Sequence, residues 1–352
     1  MTSSSGVSED SIPSVTDSKK WLAILDVGHG NSAVLVDEEG IIVIDAGPGS
    51  TLLEFLTDKN IHHVDVALIS HADRDHIEGL LGLLASDLIS FGKIRMNSDA
   101  LKNSDLWDDL LYELQSQHRK GEIDFDTSLN EAHTGQFNQG RVHIEVLAPS
   151  LYMAGKGHGG TDRVGRSLTA NSMSTVIRLM KDDRPIALLP GDIDYVGLLN
   201  LAEDCNHRGT PDAAKAPILV FPHHGGNPGS GANRIDFARS ICEFVEPNTV
   251  IFSISRGNRH TPHADIVAFI QQFGSITRIA CTELSQQCAA NTPNGEPNHL
   301  TRYFARGRDT NKCCAGTIVI DLDQPNPLVL PTADAHQDFI TISAPTALCR
   351  RL

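Results

Sequence analysis

The run VDVALISHADRDH, residues 64–76, decides the fold. Its first part is apolar and β-branched and predicts a buried strand. Its second part delivers His71, Asp73, Asp75 and His76 within six residues of that strand's end. Four metal-capable side chains leaving one turn can be aimed at a single point. Imidazole with carboxylate suits zinc, manganese or iron, and a carboxylate-rich set leans toward the harder ions. The competing reading is that these residues only cap the helix predicted over Ile77–Leu84 (IEGLLGLL). One Asp would fit that role well. Four titratable groups without partners at the mouth of a sheet would be costly to bury.

Outward from this run, the same pattern of an apolar strand ending in a polar group recurs. PIALLPGDID presents Asp192, PILVFPHHGG presents His223 and His224, and IFSISRGNRHTPH presents His260 and His263. Ligands for one site must be held by rigid elements from separate parts of the chain, so convergence of several strand ends predicts a site. Further strands are expected at WLAILDVGHGNSAVLV from Trp21, at IIVIDAG, RVHIEVLAP and MSTVIRLM. Helices are expected at 50–59, 195–203, 235–245 and 264–273, with a polar-faced helical excursion about 98–120. Alternating strands and helices give a layered α/β (α+β) class.

The chain has 352 residues with 40% hydrophobic content, enough for a sizeable core. No apolar run approaches a membrane span, and residues 1–20 read as a Ser-rich disordered tail without the apolar segment of a signal peptide, which predicts a cytoplasmic protein without membrane contact. The net charge of −15 opposes a broad grip on nucleic acid. A polyanionic substrate would need local help from divalent metal or from the glycine-rich loop 156–166, whose Lys156, Arg163 and Arg166 are candidate substrate contacts. That loop also reads as a flexible lid.

HADRDH resembles the HxHxDH signature of the metallo-β-lactamase superfamily, with Asp73 at the second histidine. This variant, with LDVGHGNSAVL, IIVIDAG, LLPGDID, PHHGG and TPH, resembles the hydrolase domain of the competence DNA-uptake channel ComEC and its stand-alone relatives over Trp21 to about Leu322. The resemblance implies a four-layer αββα sandwich over 21–330, followed by a C-terminal tail, 331–352. It implies two divalent ions, zinc or manganese: His71 and Asp73 on one, Asp75 and His76 on the other, Asp192 bridging, His224 completing the shell. His223 is the rival for that last role, and otherwise faces the substrate. Adjacent strand residues point to opposite sides, so both could ligate only if the strand has ended. Asn171 stands where the superfamily has a further histidine; a turn residue is the equal alternative. Asp26, His29 and Asp45 are expected to buttress the ligand loops, Asp45 as a carboxylate behind a ligand.

The expected activity is metal-dependent hydrolysis through a metal-activated hydroxide, with a phosphodiesterase or nuclease as the leading reading. Asp75 would orient the hydroxide or take its proton. His263, from a loop that also carries Arg256, Arg259 and His260, would stabilise the oxyanion or protonate the leaving group, unless it only starts a helix beside Pro262. The partner is then nucleic acid or a small phosphoester. The alternatives are a hydrolase of a small phosphoester or lactone, and a binding or sensor module that uses metal only for its fold. In the Cys-rich segment 281–314, Cys281, Cys288, Cys313 and Cys314 are candidates for a structural zinc, with buried free thiols as the competing reading.

Overall fold

A computed structural model describes residues 19–229, 231–257, 260–295 and 297–350. Most of the 1–20 tail, and Arg259, lie outside them. The first half comprises β1 (Trp21–Ile24), β2 (Ser32–Asp37), β3 (Gly40–Ala46), α1 (Thr51–Asp58), β4 (His63–Leu68), α2 (Arg74–Leu84), β5 (Ser90–Arg95), α3 (Asp105–Lys120) and β6 (Asp124–Asp126). The second half follows with β7 (Val142–Ala148), α4 (Leu151–Lys156), β8 (Val176–Lys181), β9 (Arg184–Leu189), α5 (Tyr195–His207), β10 (Ile218–Val220), α6 (Arg234–Val245), β11 (Thr249–Phe252), α7 (Ala264–Gln272) and β12 (Arg278–Cys281). The chain then adds β13 (Ile318–Asp321), β14 (Leu328–Leu330) and α8 (Ala333–Ser343).

Among the described residues the strands form two sheets, ordered β14-β13-β1-β2-β3-β4-β5-β6 and β12-β11-β10-β9-β8-β7. Alternation along the strands explains the layering. In β1, Leu22 and Ile24 face the second sheet, where they meet Ile144, Ile177 and Val220, while Trp21 and Ala23 face the helices with Phe55 and Leu80. On the far side, Leu219, Val250 and Phe252 pack under Leu201, Phe237, Ile241 and Ile270 of the other helices. The result is helix, sheet, sheet, helix, the metallo-β-lactamase sandwich expected from the sequence. Both strand faces are buried, which is why these strands read as near-continuous apolar runs.

Two boundaries differ from the sequence reading. The WLAILDVGHGNSAVLV run is a hairpin, because the turn LDVGHGN interrupts it between β1 and β2. The last segment, which lacks a clear period, contains α8: Thr332 caps it by accepting a hydrogen bond from the Ala335 amide, and Phe339 and Ile340 join the core. Among the described residues no helix is long and apolar enough to cross a membrane.

The β3-β4-β5 and β9-β10-β11 pairings are parallel, so the C-terminal ends of β3 and β4, and of β9, β10 and β11, lie side by side. Residues that follow these strands are therefore brought to one edge of the sandwich, where open α/β sheets take their ligands.

Candidate metal centre

Four of the predicted ligands meet at this edge. Asp75, His76, Asp192 and His224 each offer an atom within 4.8 Å of the others, the one such group of His, Cys, Asp and Glu found among the described residues. His224 Nε2 lies 3.3 Å from Asp75 Oδ2 and 3.6 Å from Asp192 Oδ2, and His76 Nε2 lies 3.5 Å from Asp192 Oδ1. These separations are long for hydrogen bonds. They match the edges of a tetrahedron of ligands about 2.1 Å from one ion, which are about 3.4 Å long.

Each histidine is anchored through its other nitrogen. His76 Nδ1 donates to Asp45 Oδ2 at 2.8 Å, and His224 Nδ1 donates to the Ser253 carbonyl at 2.7 Å. Ser70 Oγ gives its proton to Asp45 Oδ2 at 2.8 Å, so at its 3.0 Å contact with His71 Nδ1 it accepts. All three imidazoles are thus left with Nε2 as a lone-pair donor, the arrangement that orients metal-binding histidines. The Nε2 atoms of His71, His76, His223 and His224, and Asn171 Oδ1, are buried with no hydrogen-bond partner. An unpartnered buried polar atom costs about 1–3 kcal/mol, so a cluster of them fits a cation-binding centre and not a satisfied polar core.

The electrostatics agree. Burial pushes the Asp192 carboxyl up, but His224 and His76 beside it outweigh this and hold it well below the ordinary range. Burial also pushes Asp75 up, and His224 and His76 bring it well down. His76 is pushed down by burial, and Asp45 and Asp192 more than reverse that. Ionised carboxylates that draw an extra proton onto a neighbouring imidazole make a strongly negative spot, where a divalent cation competes with that proton.

His71 and Asp73 lie to one side. His71 Nε2 is 3.5 Å from Asp73 Oδ2, and the His71 and His76 rings are 4.1 Å apart between centroids. Asp73 occupies the N-cap position of α2 without capping it, since no amide bonds to its side chain. Its other oxygen meets Lys102 Nζ instead. His71 and Lys102 together hold the Asp73 carboxyl well below the ordinary range.

The structure separates His223 from His224. β10 ends at Val220, and both histidines sit in a turn with φ of 52° and 57°, a left-handed conformation unusual for residues other than glycine. The condition for two adjacent histidines to approach one site is therefore met. His224 enters the four-donor group. His223 donates its amide to Asp192 Oδ1 at 3.0 Å and keeps its ring 3.6 Å from Asp192 Oδ2, outside that group.

Other candidates fare differently. His263 precedes α7, its amide donates to the Gly225 carbonyl, and its Nε2 lies 3.4 Å from Arg234. Arg256 is not available to substrate, because its guanidinium donates to the carbonyls of Leu284, Ala289 and Ala290. Arg166 is held by Asp162 and Glu203, while Lys156 and Arg163 are exposed and lie over the Tyr152 ring. Asp26 accepts amides from Gly28 in its own turn and from Gly307, whereas His29 reaches the ligand loop, its Nε2 3.5 Å from Asp75 Oδ2.

Of the cysteines predicted for a structural zinc, Cys281, Cys288 and Cys314 share a core with Cys349 while Cys313 lies outside it, and among the described residues no three of them come close enough to form a metal-binding group. Cys313 and Cys314 meet different neighbours: Cys313 Sγ meets Asp26 Oδ2 at 3.4 Å, and Cys314 Sγ meets His336 Nε2 at 3.2 Å. All the cysteines are free and buried. Burial pushes the Cys313 and Cys314 thiols up, which leaves them as unreactive neutral core groups. A cavity of about 590 Å³ lined by His299, Asp338 and Phe339 lies apart from the metal centre.

Sequence reasoning missed Lys102, Ser70, Ser174 and the Ser253 carbonyl. Serine beside a ligand leaves no pattern of its own, and the Lys102 turn falls in a polar excursion.

A match to a family model agrees with the fold. Residues 25–150 match the family model described as Metallo-beta-lactamase superfamily. Among solved structures, Igni18, a metallo hydrolase from Ignicoccus hospitalis, is 15% identical with a TM-score of 0.44, covering 74% of this chain and 94% of that one. The metallo-beta-lactamase fold protein YhfI from Bacillus subtilis is 10% identical with a TM-score of 0.44, covering 74% and 96%. Human tRNase Z, short form, is 12% identical with a TM-score of 0.38, covering 67% and 93%. No curated protein matches the sequence.

The geometry makes a prediction for Asp45. Its Oδ1 accepts the Ser70 amide at 2.7 Å while Oδ2 fixes His76. Asp45→Asn keeps the shape but turns an acceptor into an amide facing His76 Nδ1, which favours the wrong tautomer. Metal affinity is expected to fall about 10- to 100-fold, measured by competition with a chromogenic chelator. Unchanged affinity would show that Asp45 serves the fold alone.

Proposed function

We propose that the protein is a metal-dependent phosphodiesterase, acting on nucleic acid, of the ComEC-like stand-alone hydrolase group. The observation that carries this reading is the set of buried His76, Asp192 and His224 with the partly exposed Asp75, whose ligand atoms converge and whose histidine Nε2 atoms are unpartnered. A divalent ion on that set would polarise a phosphoryl oxygen and make water a nucleophile near neutral pH.

The chain's own residues supply the rest. Asp75 is the most accessible of the four donors and can accept the proton of the attacking water. His223, held below the ordinary imidazole value by burial, is neutral at pH 7 and offers both a donor and an acceptor beside Asp192. Lys156 and Arg163, exposed on the glycine-rich loop, supply positive charge on a protein whose net charge is −15. Hydrolysis of a small phosphoester is the second reading, favoured by the loss of Arg166 to Asp162 and Glu203.

The test is hydrolysis of single-stranded DNA, double-stranded DNA, RNA and bis(p-nitrophenyl) phosphate with manganese, zinc or magnesium. Asp75→Ala is expected to lose about 100-fold or more in rate. Activity on the small diester alone would favour the second reading, and equal inertness of both proteins would sink the enzymatic one.

A further inference from the structure

The two halves of the signature turn are not equivalent. Asp75 and His76 join Asp192 and His224 in a four-donor group. Asp73, implied by the family resemblance as a ligand of a second ion with His71, carries a lysine ammonium on one oxygen. An ion pair at such a half-exposed position contributes little stability, so its interest lies in how it is built.

Lys102 is not a surface side chain that happens to reach inward. Its amide donates to Asp99 Oδ1 at 3.0 Å, and the Leu101 amide donates to the same oxygen at 3.1 Å. Asp99 is itself buried and receives His158 Nδ1 at 2.6 Å, which ties the turn to the glycine-rich loop. A braced turn therefore presents the ammonium to Asp73. The donor chemistry points the same way. With Asp73 neutralised, the unpartnered donors outside the four-donor group are His71, His223 and the amide of Asn171, none of them a carboxylate, a weak set for a second divalent ion.

We propose that Lys102 stands in for the second ion, so that the centre binds one divalent ion tightly and uses the Lys102 ammonium as its second positive charge. The proposal rests on the metal reading of the four-donor group. Metal stoichiometry tests it whatever the substrate, so failure to find a hydrolysed substrate would leave it standing.

The experiment is titration of chelator-treated, full-length protein with manganese, followed by calorimetry and by electron paramagnetic resonance, which distinguishes isolated from coupled manganese ions. Wild type is expected to bind one equivalent with an uncoupled spectrum. Lys102→Met is expected to bind a second equivalent at least tenfold more tightly than wild type does, with a coupled spectrum. Lys102→Arg, which keeps the charge, should behave as wild type and guards against misfolding of the methionine variant. Two equivalents of similar affinity in wild type, or one uncoupled equivalent in a folded Lys102→Met, would overturn the proposal.

Discussion

Asp192→Asn is expected to lose metal more than about 100-fold in affinity, and hydrolytic rate by about a thousandfold or more, while leaving the fold intact. Asp192 is the carboxylate that faces all three histidines around it. Its Oδ1 lies 3.5 Å from His76 Nε2, and its Oδ2 lies 3.6 Å from both His223 Nδ1 and His224 Nε2. Asparagine can still accept the His223 amide through its own oxygen, so the turn after β10 keeps its anchor. What disappears is the charge. Without it, His76 and His224 lose the anion that favours any cation between them, and the remaining carboxylate, Asp75, is the more exposed one. Metal content after dialysis, hydrolysis of bis(p-nitrophenyl) phosphate and the urea midpoint separate the outcomes. A folded variant that retains a full metal equivalent would remove Asp192 from the centre.

Much of this centre is legible in the sequence because parallel strands deliver their following residues to one edge. His71, His76, Asp192 and His224 could be found by asking what comes directly after each apolar run, without knowing the sheet order. The layered α/β class followed from the same runs, since strands buried on two faces lose their polar alternation, whereas the αββα order was implied by the family resemblance. Contacts between segments distant in sequence were not legible. Lys102 reaches Asp73 across 29 residues that include α2 and β5, and nothing local marks a lysine in a polar loop as directed inward. The choice between His223 and His224 depended on where β10 ends, and strand ends are set by tertiary pairing. The cysteines were only partly legible for a related reason: closeness in sequence suggested a shared site, but their neighbours come from distant segments, so Cys313 meets Asp26 and Cys314 meets His336, while Cys281, Cys288 and Cys314 share a core with Cys349.

Gly191→Val is expected to cost about 2–5 kcal/mol of stability and to weaken metal binding in the same step. Gly191 has φ +54°, where a β-branched residue is strongly disfavoured. A Cβ there would lie 2.7 Å from Ser70 Cβ and closer still to Ser174 Oγ, so both serines must move. Neither is a passive neighbour. Ser174 Oγ accepts the Asp192 amide at 3.1 Å and donates to the Pro190 carbonyl at 3.2 Å, and so fixes the turn that delivers Asp192. Ser70 Oγ bonds Asp45 and His71, and so sets the tautomer of one histidine and supports the carboxylate behind another. The glycine in LLPGDID therefore joins the two halves of the centre by letting the β4 and β9 ends approach closely. Alanine at the same position carries the backbone and Cβ costs without the extra methyl groups, and should lie between wild type and valine in both urea midpoint and metal affinity. A valine variant that unfolds within about 0.5 kcal/mol of wild type, the usual range for a surface change, would mean that the two strand ends tolerate separation and that the centre is held by the histidine anchors alone.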